Sequence, residues 1–196
     1  GINVRLYEAG FFRASYGQAY RYPSVAEKFI RTHSGSMYIY PNPELREETG
    51  WSVESGFRQG ISAGNWQAYA DLSVFRMEYR NMIEFVFANW EKFVSLKNTG
   101  LGFKAINVGH TRITGTEVSL GGSGKISAVK LNFTAGYTYI VPVQYYYDSL
   151  YTARLGEARV FGSDSSNFLK YRYSHLARAD AEAEYKGLSA GIAIRY

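Results

Sequence analysis

The sequence predicts an all-β chain, an antiparallel transmembrane β-barrel of about eight strands. Three observations carry that expectation. Polar and apolar residues alternate strictly over long runs, short and long connections alternate between the runs, and tyrosines gather near the run ends. The chain holds 18 Tyr, 12 Phe and 3 Trp, 17% aromatic against 20% charged residues, with 20 Gly. A disordered chain is poor in aromatics and rich in charge, so the composition excludes that class.

The runs, in order, cover 2–7, 11–22, 47–59, 66–78, 104–121, 128–141, 169–186 and 188–196. The first is a short stub. In the second, Phe12, Ala14, Tyr16, Gln18 and Tyr20 oppose Phe11, Arg13, Ser15, Gly17 and Arg21. In the third, Trp51, Val53 and Phe57 oppose Gly50, Ser52, Glu54, Gly56 and Arg58. The sixth sets Val129, Leu131, Phe133, Ala135, Tyr137 and Tyr139 against Ala128, Lys130, Asn132, Thr134, Gly136 and Thr138. In the seventh, the stretch from Ala177 to Glu184 has helix-forming composition. Alanine at every second position builds no helical stripe, whereas a strand puts all four on one face. The last sets Leu188, Ala190, Ile192, Ile194 and Tyr196 against Ser189, Gly191, Ala193 and Arg195. Most runs exceed the usual globular strand of about 5–6 residues and suit the 9–11 of a tilted membrane-crossing strand.

The connections 8–10, 60–65, 122–127 and 187 are short and carry turn residues, Glu8-Ala9-Gly10, Gly121-Gly122-Ser123-Gly124 and Lys186-Gly187 among them. Those at 23–46, 79–103 and 142–168 are long, and structureless loops beyond about 12–15 residues are uncommon in soluble domains. Tight turns at one end and long loops at the other are what outer-membrane barrels use. Within the second long connection, Met82 to Phe87 itself reads as strand and is expected to pair with Phe93 to Lys97. Tyr20, Tyr22, Tyr137, Tyr139, Tyr171, Tyr173 and Tyr185 fall where aromatic girdles belong.

Several function classes are excluded. There is no Cys, hence no disulfide, thiolate metal site or thiol catalysis. His33, His110 and His175 lack ligand spacing, so no metal or cofactor is expected; His33 and His110 lie where they could touch a haem or chelate, and His175 near the membrane interface. The net charge of +5 is spread singly rather than in stripes, which argues against nucleic acid. Gly121 to Lys125 does not make a phosphate loop, because Ser119 and Ile126 stand at required positions. No nucleophile lies beside a base, so no enzyme is expected.

The stretch from Arg13 to Ser24, followed by Glu27-Lys28-Phe29, resembles the barrel of TonB-dependent outer-membrane receptors. So do Tyr40-Pro41-Asn42-Pro43-Glu44-Leu45 with Glu47 or Glu48, Asn81 to Phe85, and Asn107-Val108-Gly109 leading to Gly115-Thr116-Glu117. The flavour is that of Bacteroidota receptors. The resemblance implies a receptor in the bacterial outer membrane with a 22-strand barrel, a plug and a box that engages TonB. Uptake would serve a scarce siderophore, haem, cobalamin or glycan. Plug, box and most strands are absent from 1–196, so the chain is expected to be a late part of such a barrel. The partners expected are outer-membrane lipid, the TonB complex through the missing plug and box, and the ligand.

Two sets of site residues follow. Tyrosine offers a flat apolar face and a hydroxyl, so Tyr38 and Tyr40 in the first long loop and Tyr145, Tyr146, Tyr147 and Tyr151 in the third are ligand candidates. The expected lumen-facing charges are Arg13, Arg21, Glu54, Arg58, Asp71, Glu117, Arg178 and Asp180, with Glu182 and Glu184. Pro23, Asn42 and Pro43 shape loop entry and exit. Two alternatives stay open: a complete eight-stranded barrel with a structural or adhesive role, and a soluble β carbohydrate-binding module.

Overall fold

The structure is a computed structural model that describes residues 1–91, 100–146, 168–169 and 172–196. An eight-stranded antiparallel sheet dominates. Its strands are β1 (Ile2–Tyr7), β2 (Gly10–Arg21), β5 (Glu48–Ala63), β6 (Trp66–Arg80), β9 (His110–Ile126), β10 (Val129–Tyr146), β11 (His175–Tyr185) and β12 (Leu188–Arg195), adjacent in that order. A second sheet, in the order β3 (Thr32–Ser34), β4 (Met37–Tyr40), β8 (Leu101–Asn107), β7 (Ile83–Asn89), is inserted between strands of the first. One short helix, α1 (Val25–Phe29), follows β2. β1 and β12 are the two opposite edges of the large sheet. A closed eight-stranded barrel would pair them, so that alternative loses its main support.

The register continues two faces across the large sheet, because residues directly opposite in a ladder point the same way. Phe12 faces Phe57, Phe57 faces Leu72, Leu72 faces Val118 and Val118 faces Tyr137. Arg13 faces Gly56, Gly56 faces Ser73, Ser73 faces Glu117 and Glu117 faces Thr138. The first row belongs to an apolar face and the second to a polar one. Leu72 and Val74 on the apolar face are 51% and 53% exposed, too much for a buried core. On β6 this face reads Ala68, Ala70, Leu72, Val74 between Trp66 and Arg76. At ~3.3 Å per residue that climb is ~33 Å, or ~25 Å along an axis tilted by about 40°, the height of the apolar band on outer-membrane barrels.

Tight turns close one end of the sheet, with positive φ at Ala9, Gly64, Ser127 and Lys186. At Lys186-Gly187 both central residues have positive φ, the backbone that two-residue hairpins require. The third turn is Ser127-Ala128, not the expected Gly121 to Gly124. Those glycines lie inside β9, where rings from neighbouring strands rest on their backbone. A Cβ at Gly121 would stand 2.7 Å from the Tyr69 ring, and one at Gly122 2.8 Å from Phe133.

Three further expectations are corrected. The run 104–121 is two strands: β8 belongs to the second sheet, and Val108-Gly109, with φ +98° at Gly109, redirects the chain into β9. The hairpin partner of β7 is β8, with Phe85 opposite Ala105 and Phe87 opposite Phe103; residues 93–97 lie outside the described ones. β11 begins at His175 rather than at 169.

The second sheet packs over the upper end of the polar face. Met82, Ile106, Val108 and Leu169 are buried together against Tyr79, Val86, Trp90 and Ile113. Side-chain amides knit the junction. Asn107 accepts from Arg46 N–H (3.0 Å) and donates to the carbonyls of Arg46 (3.1 Å) and Asn81 (2.7 Å). Buried Asn42 donates to the Ala105 carbonyl at 2.9 Å, and its N–H bonds the Glu27 carbonyl at 3.0 Å. Glu48 accepts from Ile83 N–H at 2.8 Å.

Candidate functional site

Two regions collect the sequence-derived candidates. The first is the polar face. By register Arg13, Arg21, Glu54, Arg58, Asp71, Glu117, Arg178 and Asp180 share it. Its centre is Asp71 on β6, 6% exposed. Arg13 of β2 reaches it bidentately at 2.6 and 2.8 Å, and Arg58 of β5 donates Nε at 2.7 Å. Gly56 on β5, between the strands of Arg13 and Asp71, leaves room for the Arg13 guanidinium, which lies 3.0 Å from where a Cβ would stand. Arg13 also approaches Glu54 at 3.5 Å, and Arg58 lies over the Tyr69 ring at 5.1 Å. Three strands are thus cross-linked by one carboxylate.

Across β9 to β12 the same face is acidic and loosely bonded. Thr138 donates to Glu117, Thr134 to Asp180 and Asn132 to Glu182, each at 3.4 Å, while Lys130 stands 3.9 Å from Glu184. Arg178 lies across Gly136.

Arg21 leaves this face at the rim to bond Glu27 at 3.2 Å. Ser24 caps α1: its hydroxyl accepts from Glu27 N–H while Glu27 accepts from Ser24 N–H at 2.7 Å, a complete capping box. Burial pushes the Glu27 carboxyl up, but the two Ser24 contacts and Arg21 outweigh it and hold the group below its ordinary value.

The second region is the inserted sheet. Tyr38 and Tyr40 stack on one another with centroids 5.8 Å apart, and His33 meets Tyr38 at 5.3 Å. The Arg31 guanidinium lies over both tyrosine rings, at 5.4 and 5.1 Å, and grips Glu91 through two bonds of 2.8 Å. That clamp raises the Arg31 pKa. Tyr40 is 4% exposed, its ring edge packed on Gly102, and burial raises its pKa. Its hydroxyl has no hydrogen-bond partner among the described residues, a costly state for a buried polar group. Tyr145 and Tyr146 end β10, while Tyr147 and Tyr151 lie outside the described residues.

Sequence reading missed Arg31 and Glu91, which complete the tyrosine cluster, and the opposite face of this sheet. There Phe103 stacks with Phe85 (5.6 Å) and meets Phe87 (5.0 Å). It also missed Arg76, Glu78 and Arg112 at the top of the apolar face. The signal was available, since on β6 the even positions turn from apolar to charged at 76. His175, on the apolar face, bonds the Tyr137 hydroxyl at 2.7 Å and packs on Tyr139 at 5.0 Å.

The family model described as TonB dependent receptor-like, beta-barrel, matches residues 1–196. The chain belongs to that family. It is therefore an outer-membrane protein of a Gram-negative bacterium, and its family is one of receptors and transporters rather than of enzymes. Among solved structures it is similar to a double mutant of the Serratia marcescens hemophore receptor HasR in complex with its hemophore HasA and heme. The TM-score is 0.68 at 20% identity, over 98% of this chain and 30% of that one. The chain thus spans about a third of that receptor's length. No curated protein sequence matches it.

Proposed function

We propose that residues 1–196 form part of the barrel of a receptor that takes up a scarce nutrient across the outer membrane, energised by TonB through a plug and box carried elsewhere in the receptor. The observation that carries this reading is the two-faced sheet capped on its polar side by the inserted sheet. An apolar face ~25 Å high meets lipid, a charged face lines a lumen, and the cap presents aromatic and cationic groups where a ligand arrives. The open edges β1 and β12 pair with flanking strands of a 22-strand barrel. Arg13, Glu54, Arg58, Asp71, Glu117, Arg178 and Asp180 then face the lumen and solvate it or bind the plug, and Arg21 fixes the rim. The chain carries no catalytic role.

The ligand contacts assigned are Tyr38 and Tyr40, with Tyr145 and Tyr146 from the end of β10 and Tyr147 and Tyr151 from the sequence that follows it. Stacked phenol rings under a guanidinium suit a planar or amphipathic ligand with acceptor groups. Because the similar receptor is described with heme, haem is the first of the siderophore, haem, cobalamin and glycan classes to test. The test is uptake by cells carrying the full-length receptor, with and without TonB, and binding by its Tyr38→Ala and Tyr40→Phe variants. TonB-dependent uptake and roughly tenfold weaker binding by Tyr38→Ala are expected. Tyr40→Phe weakens binding where the ligand accepts from the buried hydroxyl. Uptake independent of TonB, or unchanged affinity in both variants, would overturn the assignment.

A further inference from the structure

The polarity of helix α1 is inverted. At about 100° per residue, Val25 and Phe29 share one side of its short turn and Glu27 takes the opposite side. Glu27 and Lys28 are half-buried, whereas Val25, Phe29 and the following Ile30 are 72%, 62% and 49% exposed. A helix surrounded by water turns its apolar stripe to the protein and its charges outward. Here the charged side is the one turned to the protein. Glu27 bonds Arg21 at 3.2 Å, Lys28 Nζ donates to the Leu45 carbonyl at 3.2 Å, and the Glu27 carbonyl accepts from Asn42 N–H at 3.0 Å.

Those partners fix the direction of the apolar side. Arg21 belongs to the polar face of β2, and Asn42 is tied through the Ala105 carbonyl to β8 of the inserted sheet, which covers that face. Val25 and Phe29 therefore point away from it, to the side that carries Tyr20 and Tyr22. Tyr20 is on the apolar face by strand parity, and the Tyr22 ring meets it edge-on with centroids 5.4 Å apart. Both tyrosines are exposed. Tyr20 pairs with Thr49 and Thr49 with Arg80, so α1 begins beyond the ladder row of Val74, the last aliphatic residue of that face on β6. An apolar patch thus continues the apolar face past its end.

We infer that α1 is an interfacial anchor: Val25, Phe29 and Ile30, with the rings of Tyr20 and Tyr22, enter the boundary between headgroups and acyl chains of the outer leaflet. This rests on the reading of the apolar face as lipid-facing. The residue types agree with that occupant. Tyrosine prefers the interface, where one end is apolar and the other wet. The apolar side of a helix lying in the membrane plane reaches about 5–10 Å into that boundary. The charges of Glu27 and Lys28 are bonded on the inner side, so lipid contact on the outer side leaves neither stranded. Arg21 has a positioning role: with the Ser24 capping box it holds the turn with its apolar side outward.

The test uses the full-length receptor in phosphatidylcholine vesicles. Residues 1–196 contain no cysteine, so once any elsewhere in the receptor are replaced, a single nitroxide can be attached through Val25→Cys, Phe29→Cys, Leu72→Cys or Ser36→Cys. Collisions with oxygen, which concentrates among acyl chains, are compared with collisions with a water-soluble nickel chelate. Leu72, exposed on the apolar face of β6, reports lipid; Ser36, exposed in the turn between β3 and β4, reports water. Labels at positions 25 and 29 should favour oxygen more than the label at 36 and less than the label at 72. Arg21→Gln should shift the label at 29 toward nickel and leave the label at 72 unchanged; no shift removes the positioning role. Heat-modifiable mobility in detergent shows that each labelled receptor is folded, and position 25 serves if the label at 29 disrupts the turn. The anchor is overturned if these labels match the one at 36, which leaves the turn in water. It is equally overturned if both reagents are excluded, which means that another part of the receptor covers it. Either result beside a lipid-exposed label at 72 refutes the anchor alone, whereas a water-exposed label at 72 refutes the lipid-facing reading itself.

Discussion

Asp71 is the strongest point at which the polar face can be perturbed, and the geometry predicts an asymmetry. Asp71→Asn removes a carboxylate that accepts three bonds of 2.6 to 2.8 Å from Arg13 and Arg58. The arginines left behind are 35% and 54% exposed, so both can hydrate where they stand. Exposure therefore discounts the loss to about 1–2 kcal/mol. The converse change, Arg13→Gln with Arg58→Gln, strands a carboxylate that is 6% exposed. Breaking a buried pair from that side costs about 3–5 kcal/mol, because the charge has neither water nor a partner. Adding Asp71→Asn to the double variant removes the stranded charge and should restore about 2 kcal/mol. The assay is the urea midpoint of the full-length receptor refolded in detergent, followed by heat-modifiable mobility. The reasoning is refuted if Asp71→Asn costs as much as the double arginine variant, or if the triple variant is no more stable than the double.

Three further outcomes follow from local geometry. Ser24→Ala should cost α1 about 1 kcal/mol by breaking the capping box, read as lost amide protection at Lys28, whose N–H bonds the Ser24 carbonyl. Glu27 is held below its ordinary value, so its contribution is complete above the usual carboxylate range and is lost as pH falls through the lowered value. Protection of α1, corrected for intrinsic exchange, should fall with acid in the wild type and stay flat in Glu27→Gln. Gly121→Val would drive a branched side chain into the Tyr69 ring, 2.7 Å from the first carbon. Overpacking of about 1–3 kcal/mol should lower the urea midpoint, and Tyr69→Ala in the same chain should recover part of it.

The large sheet was legible because its pattern is imposed from outside. A polar side and an apolar side, each continuous across many strands, force a period of two on every one, and β10 from Val129 to Tyr139 shows it without exception. The inserted sheet has no such constraint. β3 and β4 are short and owe their place to pairing with each other and with β8. Val108 keeps the apolar rhythm between β8 and β9 although Gly109 has turned the chain, so the run 104–121 read as one strand. Gly121 to Gly124 misled for the opposite reason. Clustered glycine suggests a turn locally, and the rings that need the space come from Tyr69 and Phe133 on other strands.

The motif residues explain themselves once the junction is visible. Asn42, Asn81, Glu48 and Asn107 are scattered in sequence, yet each serves the same seam between the inserted sheet, α1 and the segments flanking the upper ends of β5 and β6. Several of their bonds go to the backbone of Arg46, Glu47 and Asn81, in irregular segments that have no ladder partners of their own. A membrane-crossing sheet is held by its ladders, but the segments that leave it need side chains to satisfy their amides and carbonyls. The seam also sets the height of the tyrosine cluster. β7 starts at Ile83, beyond Arg80, so Tyr38 and Tyr40, which pair with the β8 residues facing it, stand beyond the end of the apolar face. Arg76 and Arg112 mark the end of that face on the opposite side of the same strands. One change in β6, from Val74 to Arg76, thus marks where the apolar face ends, just below the inserted sheet on the other side.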